Sequence, residues 1–334
     1  MINAAIIGLG RWGQILVNSV QGKSDKIKII AGRTETLSDN AKTFAENHGF
    51  PLTASYNDLL QRSDIDAVIL VTPHSTHAEQ VQQAAAAGKH VFCEKPFTLN
   101  KATAEDSVKA CRDAGIVLAV AHNRRFYPAY QELQELVRSG ALGEIIHIEG
   151  NHSGFGGLNR KKGAWRVDPS ESPLGAMAGK GLHAIDAMIG LAGPINQVNA
   201  ISTHKVLDDC DDTTAMLLQF GNGISGYLGS MDATAFMWRL AVFGTKGWAE
   251  LRNHHRLVRR TIEDGNGESD KSGEDGETVN NYDVADTLLL EFDAFADAVN
   301  GVAPYPMTDE EMIATPALWE AAARSVQLGQ AVDV

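Results

Sequence analysis

A glycine-rich loop between an apolar run and a helical pattern constrains the fold of this chain more than any other feature. The run Ala4–Ile7 leads directly into Gly8-Leu9-Gly10-Arg11-Trp12-Gly13, and Gln14–Val20 has helical periodicity. In such a loop the first glycine permits a tight turn, the second admits a pyrophosphate, and the third allows the helix to pack closely on the strand. Amides at the start of the helix then face the phosphates. The strand–loop–helix context therefore predicts a dinucleotide-binding unit.

Short apolar runs alternate with helical segments as far as about Ala121. The runs are four or five residues long and rich in Val and Ile, as in strands buried on both faces of a parallel sheet. Further strands are predicted at Ile27–Ala31, Ala67–Val71, His90–Cys93 and Val117–Ala121, and further helices at Leu37–His48, Thr76–Ala87 and Lys101–Ala114. This alternation predicts an α/β Rossmann domain with a doubly wound parallel sheet over residues 1–122.

Beyond Tyr127 the strands become longer, often alternate, and are joined by turn signals. Strands are predicted at Ile145–Glu149, Val198–Thr203, Thr213–Phe220, Ile224–Ser230 and Leu240–Phe243, and helices at Tyr130–Ser139, Ala184–Leu191, Asp286–Ala298 and Thr308–Gly329. Gly221-Asn222-Gly223 and Gly244-Thr245-Lys246-Gly247 predict tight hairpin turns. We therefore expect a second domain, 123–334, with a mainly antiparallel sheet that has one exposed or subunit-facing side. Its final helix, 308–329, is a candidate for packing at the domain interface.

Composition and charge narrow the range of partners. The chain has 334 residues, of which 44% are hydrophobic and 21% are charged, as expected for a globular protein with two domains. Its net charge of −13 disfavours nucleic acid and anionic membranes, so the predicted partner is a small-molecule substrate. The acidic stretch Glu263–Glu277 is interpreted as a solvated loop between strands.

The cysteines and the apolar stretches predict a cytoplasmic protein. Cys93, Cys111 and Cys210 are widely spaced and have neither CxxC nor metal-site spacing, which is typical of a reducing compartment. The first apolar run has no basic segment before it, and the longest uncharged stretch, Ala187–Thr203, is interrupted by Gly and Pro. We expect no signal peptide, no membrane span and no bound metal.

The residues after the second predicted strand indicate which ribose the site accepts. In many dinucleotide sites an acidic residue about 20 residues after the glycines binds the free 2′-hydroxyl. Here Gly32 occupies the expected acidic place, followed by Arg33 and Thr34. A guanidinium can pair with a 2′-phosphate and a hydroxyl can donate to it, which favours NADP over NAD. Two alternatives stay open: Arg33 is a surface residue over the adenine, or Glu35 reaches back to a ribose hydroxyl.

Two polar segments follow buried strands at the edge where ligands bind in such folds. One is Thr72-Pro73-His74-Ser75-Thr76-His77, and the other is Glu94-Lys95-Pro96. A lysine that is partly desolvated there, near the cofactor, can have its pKa lowered and act as an acid or base. Pro96 would fix the turn that directs this side chain. Lys95 is therefore the candidate catalytic residue of the first domain.

Taken together, the motifs resemble those of the glucose–fructose oxidoreductase/inositol dehydrogenase (Gfo/Idh/MocA) family over nearly the whole chain. The resemblance rests on Gly8–Gly13, Thr72-Pro73 with His77, Glu94-Lys95-Pro96, Asn123-Arg124-Arg125-Phe126, Trp165-Arg166, and Gly175 through His183 to Asp186. It implies a C-terminal α+β domain with a large open sheet, through which subunits form homodimers or homotetramers. It also implies hydride transfer between NAD or NADP and a hydroxyl or carbonyl of a sugar, inositol or cyclic diol.

The resemblance assigns roles to residues of this chain. Lys95 would hold the reacting oxygen and move its proton, with His183 as the partner acid/base. The cofactor site would comprise Gly8, Leu9, Gly10, Arg11, Trp12, Gly13, Arg33, Thr34, Thr72, Pro73, His77, Glu94, Lys95, Asn123 and Arg124. The substrate site would comprise Lys95, Arg125, His152, Trp165, Arg166, Lys180 and His183, with Trp165-Arg166 capping the cleft.

The chain departs from the family pattern at one position. The family often has an aspartate four residues before the histidine, and here that residue is Gly179. Three alternatives stay open. Lys95 and His183 suffice, Asp186 orients the ring of His183 from one turn later, or Lys180 adds a positive charge for an anionic substrate such as a carboxylated cyclic diol.

Other conspicuous side chains have structural interpretations. His152 faces the substrate cleft or has a structural or exposed role, and the sequence does not decide between these. His254 and His255 are predicted to lie at the surface on a strand, where neighbours point to opposite faces. Trp12 is predicted to pack at the start of the first helix.

Two other functions remain as alternatives to a dehydrogenase. The missing aspartate at position 179 would suit a non-catalytic sensor that binds NADP(H), whereas Lys95 and His183 argue for chemistry. The second alternative is an enzyme that cleaves glycosides through transient oxidation, with tightly bound NAD.

Overall fold

The computed structural model describes residues 1–160, 163–175, 177–262 and 277–334. These residues divide into two compact units. The first comprises Met1–Asn123 and Asp286–Pro316, and the second comprises Arg124–Ala285 and Ala317–Val334.

The first unit is built on a six-stranded parallel sheet with the order β3-β2-β1-β4-β5-β6. Its strands are β1 (Ile2–Ile7), β2 (Ile27–Arg33), β3 (Leu52–Thr53), β4 (Ala67–Leu70), β5 (His90–Cys93) and β6 (Leu118–Val120). The intervening helices are α1 (Arg11–Val20), α2 (Asp39–Asn47), α3 (Tyr56–Leu60), α4 (His77–Ala86) and α5 (Lys101–Asp113). All four residues of β4 are fully buried, because helices cover both faces of such a sheet. The predicted doubly wound Rossmann fold is confirmed.

The second unit contains a nine-stranded mixed sheet with the order β14-β13-β12-β11-β7-β10-β9-β8-β15. Its elements up to residue 281 are α6 (Pro128–Arg138), β7 (Ile145–Ser153), α7 (Leu182–Ala192), β8 (Ile195–Thr203), β9 (Thr213–Phe220), β10 (Ser225–Met231), β11 (Met237–Gly244), β12 (Gly247–Arg252), β13 (Arg256–Thr261) and β14 (Thr278–Asn281). The neighbours β7 and β10 are parallel, whereas β8–β9 and β11–β12 are antiparallel. Both predicted hairpin turns are present, between β9 and β10 and between β11 and β12.

Helices α6 and α7 cover one face of this sheet. The hydroxyl of Tyr130 on α6 donates to the carbonyl of Ala187 on α7 (2.9 Å), and Met188 of α7 packs against Gly150 in β7. On the opposite face, Ile201, Leu217 and Tyr227 are exposed. The α+β fold of the second unit, with one open face of its sheet, is therefore confirmed.

The last elements are α8 (Thr287–Val299), α9 (Asp309–Leu328) and β15 (Val332–Asp333). The sequence predicts 123–334 as one contiguous domain, but the structure assigns Asp286–Pro316 to the first unit. Phe292 of α8 stacks on Phe92 of β5, with ring centroids 4.3 Å apart, and Lys26 pairs with Asp297 at 2.7 Å. Apolar contact with the parallel sheet therefore draws this segment back to the first unit.

The prediction that His254 and His255 lie on a strand is wrong. Both are in the hairpin turn between β12 and β13, where Asn253 (φ 50°) and His254 (φ 68°) adopt the left-handed conformation. The predicted acidic loop Glu263–Glu277 lies outside the described residues except for Glu277. Among the described residues, no helix is long and apolar enough to cross a membrane.

Candidate active site

The glycine loop has the geometry needed to receive a phosphate. Gly8 has φ +106°, and a Cβ at this position would overlap the carbonyl of Val71. A Cβ at Gly13 would overlap the carbonyl of Gly8, so this glycine is needed for the close packing of α1 on β1. At Gly10 a Cβ would meet no atom within 4 Å. The backbone is therefore accessible at Gly10, where α1 begins, and these residues fit a dinucleotide pyrophosphate.

The other residues of the loop divide between packing and exposure. Leu9 is buried, so only its backbone is suited to ligand contact, whereas Arg11 is exposed. The amide of Gly8 donates to the carbonyl of Arg33 (2.8 Å). This bond brings the end of β2, where the ribose is expected, next to the glycine loop.

Gly32 does not occupy a ribose-facing position. A Cβ there would meet the side chains of Leu52, Phe50 and Ile6 at 3.0–3.2 Å, so this position faces the apolar interior. The interpretation of Gly32 as the acidic place is therefore wrong. Arg33, at the end of β2, pairs with the exposed carboxylate of Glu35 at 2.5 Å.

The neighbouring Thr34 hydroxyl is 3.5 Å from the carbonyl of Thr36. Arg33 is the last residue of β2 and Thr34 follows it. Both therefore lie at the end of the strand where a 2′-phosphate would bind.

His77 is buried at the carboxyl edge of the parallel sheet, where the cofactor is predicted to bind. The side chain has no exposed area; its Nδ1 lies 2.7 Å from the carbonyl of Pro96 and its Nε2 lies 3.1 Å from that of Thr72. The ring therefore joins the two turns that follow β4 and β5, and its predicted contact with the cofactor stays a prediction. Thr72 is half-buried and donates to Gln80 (2.6 Å), and Pro73 is exposed.

The Glu94-Lys95-Pro96 turn follows β5, and its Lys95–Pro96 peptide bond is cis. Glu94 is buried and Lys95 is half-buried. One oxygen of Glu94, Oε2, accepts from the Lys95 amide (3.1 Å), and the other, Oε1, accepts from the indole Nε1 of Trp12 (2.5 Å). Trp12, predicted to pack at the start of the first helix, is therefore bonded to the lysine turn. The sequence contains no sign of this contact.

Asn123 ends the contiguous part of the first unit. Its Nδ2 donates to the hydroxyl of Thr287 at the start of α8 (2.8 Å), and the side chain is half-buried. The returning segment therefore fixes the orientation of Asn123.

In the second unit, His183 lies in the first turn of α7, directly after the wide turn Met177–Gly181. His152 lies on β7, since that strand continues to Ser153, and the two imidazole centroids are 5.8 Å apart. His152 Nδ1 is 2.8 Å from the carbonyl of Lys180. The structure therefore brings together two of the predicted substrate residues, both of which are buried.

The ammonium group of Lys180 is engaged in an ion pair. Its ammonium pairs with Asp232, which also pairs with Arg160 at 2.5 Å, and Asp232 is only 1% exposed. The suggestion that Lys180 supplies a spare positive charge is therefore weakened by this triad. Gly179, the position of the usual aspartate, is exposed, and a Cβ there would meet nothing within 4 Å.

Arg125 belongs to a buried ion pair. Its guanidinium donates to both carboxylate oxygens of Asp186 at 2.8–3.1 Å, and the two side chains are 6% and 0% exposed. These bonds hold Arg125 inside the second unit, and its predicted contact with substrate stays a prediction. Asp186 correspondingly accepts from Arg125, and the ring-orienting role considered for it stays a prediction.

Arg124 lies against aromatic rings. Its guanidinium carbon is 5.6 Å from the ring of Tyr127 and 5.8 Å from that of Trp238, and it donates to the Tyr127 hydroxyl. Farther along the chain, Arg166 lies over the ring of Trp165 at 4.2 Å in a single 3₁₀ turn. Arg166 is exposed, so this pair presents a charged and aromatic surface.

His254 is a candidate site residue that sequence reasoning missed. Its ring stacks on Tyr127 at 4.4 Å and lies 4.9 Å from Trp238 and 6.5 Å from His152. Burial, together with the charges of Arg124, His152 and His255, lowers the pKa of His254 to about 2. His254 is therefore a neutral member of an aromatic cluster around His152.

Two family profiles match the chain. The profile described as an oxidoreductase family with an NAD-binding Rossmann fold covers residues 2–122, and a GFO/IDH/MocA C-terminal domain covers residues 130–250.

Individual relatives are similar over most or all of the chain. The uncharacterized oxidoreductase YrbE of Bacillus subtilis is 29% identical, over 75% of this chain and 74% of its own length. Inositol 2-dehydrogenase of Rhizobium meliloti is 25% identical over 97% of both chains. The crystal structure of a putative NADPH-dependent oxidoreductase from Desulfitobacterium hafniense superimposes with a TM-score of 0.88 at 26% identity, covering 99% of this chain and 97% of the other. The chain is an NAD(P)-binding member of the Gfo/Idh/MocA oxidoreductase family.

Proposed function

We propose that the protein is an NADP-preferring dehydrogenase or reductase that transfers a hydride between the nicotinamide and a secondary alcohol or carbonyl of a sugar, inositol or cyclic diol. The observation that carries this proposal is the placement of Lys95. It lies on the turn after β5, at the carboxyl edge of the parallel sheet, and a hydrogen-bonded link through Glu94 joins it to the glycine loop.

The cofactor preference is proposed from the end of β2. Arg33 carries the cation that a 2′-phosphate needs, and Gly32 before it has no acidic side chain that would repel the phosphate. The similarity to a putative NADPH-dependent oxidoreductase supports the same preference.

The chemistry divides between the cofactor and the protein. When bound, the nicotinamide supplies or accepts the hydride. The chain's own residues would bind and orient it: the Gly10 region and the start of α1 would hold the pyrophosphate, and Thr72 and Pro73 would border the nicotinamide end. Lys95 Nζ holds the substrate oxygen and transfers its proton, and His183 is the partner acid/base.

The substrate class is proposed from the relatives and from the second unit. Inositol 2-dehydrogenase matches the chain over almost its full length, which supports a polyhydroxylated ring. The aromatic surfaces of Trp165 and of the cluster around His152 suit the apolar faces of such a ring, and the imidazoles suit its hydroxyls.

Substitution of Lys95 by Met tests the proposal. We expect turnover to fall by about 10²–10⁴-fold, because general acid–base catalysis is lost, while the dissociation constant for NADPH changes little. The measurement is a screen of sugars, inositols and cyclic diols at the absorbance of the reduced cofactor, combined with cofactor titration.

Lys28→Met is the matched control, since Lys28 is exposed on β2, away from the lysine turn. Full activity in Lys95→Met would overturn the catalytic assignment. Tight NADPH binding by the unsubstituted protein, without turnover of any compound in the panel, would instead identify a sensor.

A further inference from the structure

We propose that Trp12 is a positioning residue for the candidate catalytic lysine and acts on it through Glu94. The inference rests on the proposed function, because it requires Lys95 to be the group that moves the substrate proton.

The Glu94 carboxylate has one oxygen committed to each neighbour. Oε1 accepts from the Trp12 indole (2.5 Å), and Oε2 accepts from the Lys95 backbone amide (3.1 Å). Glu94 is only 7% exposed. A buried carboxylate depends on its hydrogen bonds, and bonds to a charged acceptor are the stronger kind. The indole of Trp12 therefore helps to orient the Glu94 carboxylate, and Glu94 in turn bonds to the start of the lysine turn.

Trp12 is well placed to provide this support. It lies in the first turn of α1, and Gly13, the next residue, allows that helix to pack in direct contact with the Gly8 backbone. The indole therefore extends from a rigid element rather than from a mobile loop. At the far end of the turn, His77 Nδ1 lies 2.7 Å from the carbonyl of Pro96. Lys95 is thus held on both sides, by Glu94 before it and by His77 after it.

The position of Trp12 in the glycine loop also links the lysine turn to the cofactor site. Trp12 is part of the same loop whose backbone faces the pyrophosphate, so the phosphate site and the lysine turn share one support. A displacement of the lysine by a fraction of an ångström reduces the rate of reaction much more than it reduces the affinity for ligands.

The test is Trp12→Phe, which keeps an aromatic ring and removes the indole donor. We expect kcat to fall by about 10-fold, with the substrate KM and the NADPH dissociation constant changed by less than about twofold. Trp248→Phe, on β12 in the other unit, is the matched control and should leave all three constants unchanged. A loss of cofactor affinity or thermal stability without a selective loss in kcat would overturn the proposal in favour of a structural role.

A double-mutant cycle with Glu94→Gln adds a second readout. An amide has one acceptor oxygen, so the glutamine side chain must give up one of the two bonds that Glu94 accepts. If Trp12 acts only through Glu94, the double variant is as slow as Glu94→Gln alone. If the two fold-losses multiply, the residues act independently and the proposal fails.

Different results would overturn the catalytic role of Lys95 and the positioning role of Trp12. Turnover by Lys95→Met would overturn both the proposed function and the positioning role. Loss of turnover in Lys95→Met, together with a Trp12→Phe variant that matches Trp248→Phe, would overturn the positioning role alone.

Discussion

Arg33, the residue after Gly32, is the candidate for contact with the ribose at the end of β2. Because position 32 faces Leu52, Phe50 and Ile6, the selective contact falls to Arg33. The guanidinium pairs with Glu35, whose carboxylate is 84% exposed and can release it to a phosphate. The proposed preference for NADP over NAD therefore depends on a single cation.

The corresponding prediction concerns Arg33→Gln. A lost charge-assisted bond to a 2′-phosphate is worth about 1.5–3 kcal/mol, so the NADPH dissociation constant should rise by about 10–100-fold. Affinity for NADH, which lacks this phosphate, should change by less than about twofold. Fluorescence titration with both cofactors measures the two constants, and Arg112→Gln on α5 is the control. Equal weakening of both cofactors would show that Arg33 does not read the phosphate.

At the scale of secondary structure, the buried pair Arg125–Asp186 joins the segment before α6 to α7, the helix that carries His183. Removing one partner leaves an unpaired buried charge, whereas replacing both with apolar residues does not. The pair therefore fixes a helix of the candidate site without contributing much net stability.

We expect Asp186→Leu or Arg125→Met alone to lower the free energy of unfolding by about 3–5 kcal/mol, and the double substitution to lower it by much less. Urea unfolding of the three variants measures this. Single variants with unchanged stability would show that the pair is not the main partner of either charge.

The elements show what the sequence could predict. Five of the six parallel strands were predicted to within two residues at each end, because each contains a short apolar run, as in Ala67–Leu70, whereas β3 was not predicted. Strands β12 and β13 were missed because Glu250, Arg252 and Arg256 interrupt any apolar pattern. Their pairing comes from the neighbouring ladder.

The candidate site follows the same division. Local motifs predicted the glycine loop and the Glu94-Lys95-Pro96 turn. The bond from Trp12 to Glu94 spans 82 positions in the chain, and the stacking of His254 on Tyr127 also joins distant segments. Contacts of this kind have no local signature, and they account for the error at His254 and for the unforeseen partners of His77 and Arg125.

At the scale of the whole molecule, the open face of the nine-stranded sheet has exposed apolar side chains. Ile201 is 67% exposed and Leu217 is 61% exposed, and Tyr227 lies opposite Leu217 in the ladder. Large apolar side chains grouped on a sheet face are typical of subunit interfaces.

We therefore expect a homodimer or homotetramer formed through this face, measured by sedimentation velocity. Leu217→Glu should shift it towards the monomer, because a charge would be buried in the interface. Gln82→Glu, at an exposed position on α4 in the first unit, tests whether added charge alone has this effect. A wild-type protein that is monomeric at all concentrations would contradict the expectation.

The return of Asp286–Pro316 to the first unit has a consequence for biosynthesis. When residue 123 leaves the ribosome, all six strands of the parallel sheet exist, but Phe292 and its helix, which stack on Phe92, do not. Translation at about 5–20 residues per second leaves the nascent unit with an uncovered apolar surface for on the order of ten seconds. The N-terminal unit, although made first, is completed late, and until then its uncovered apolar surface is prone to aggregation.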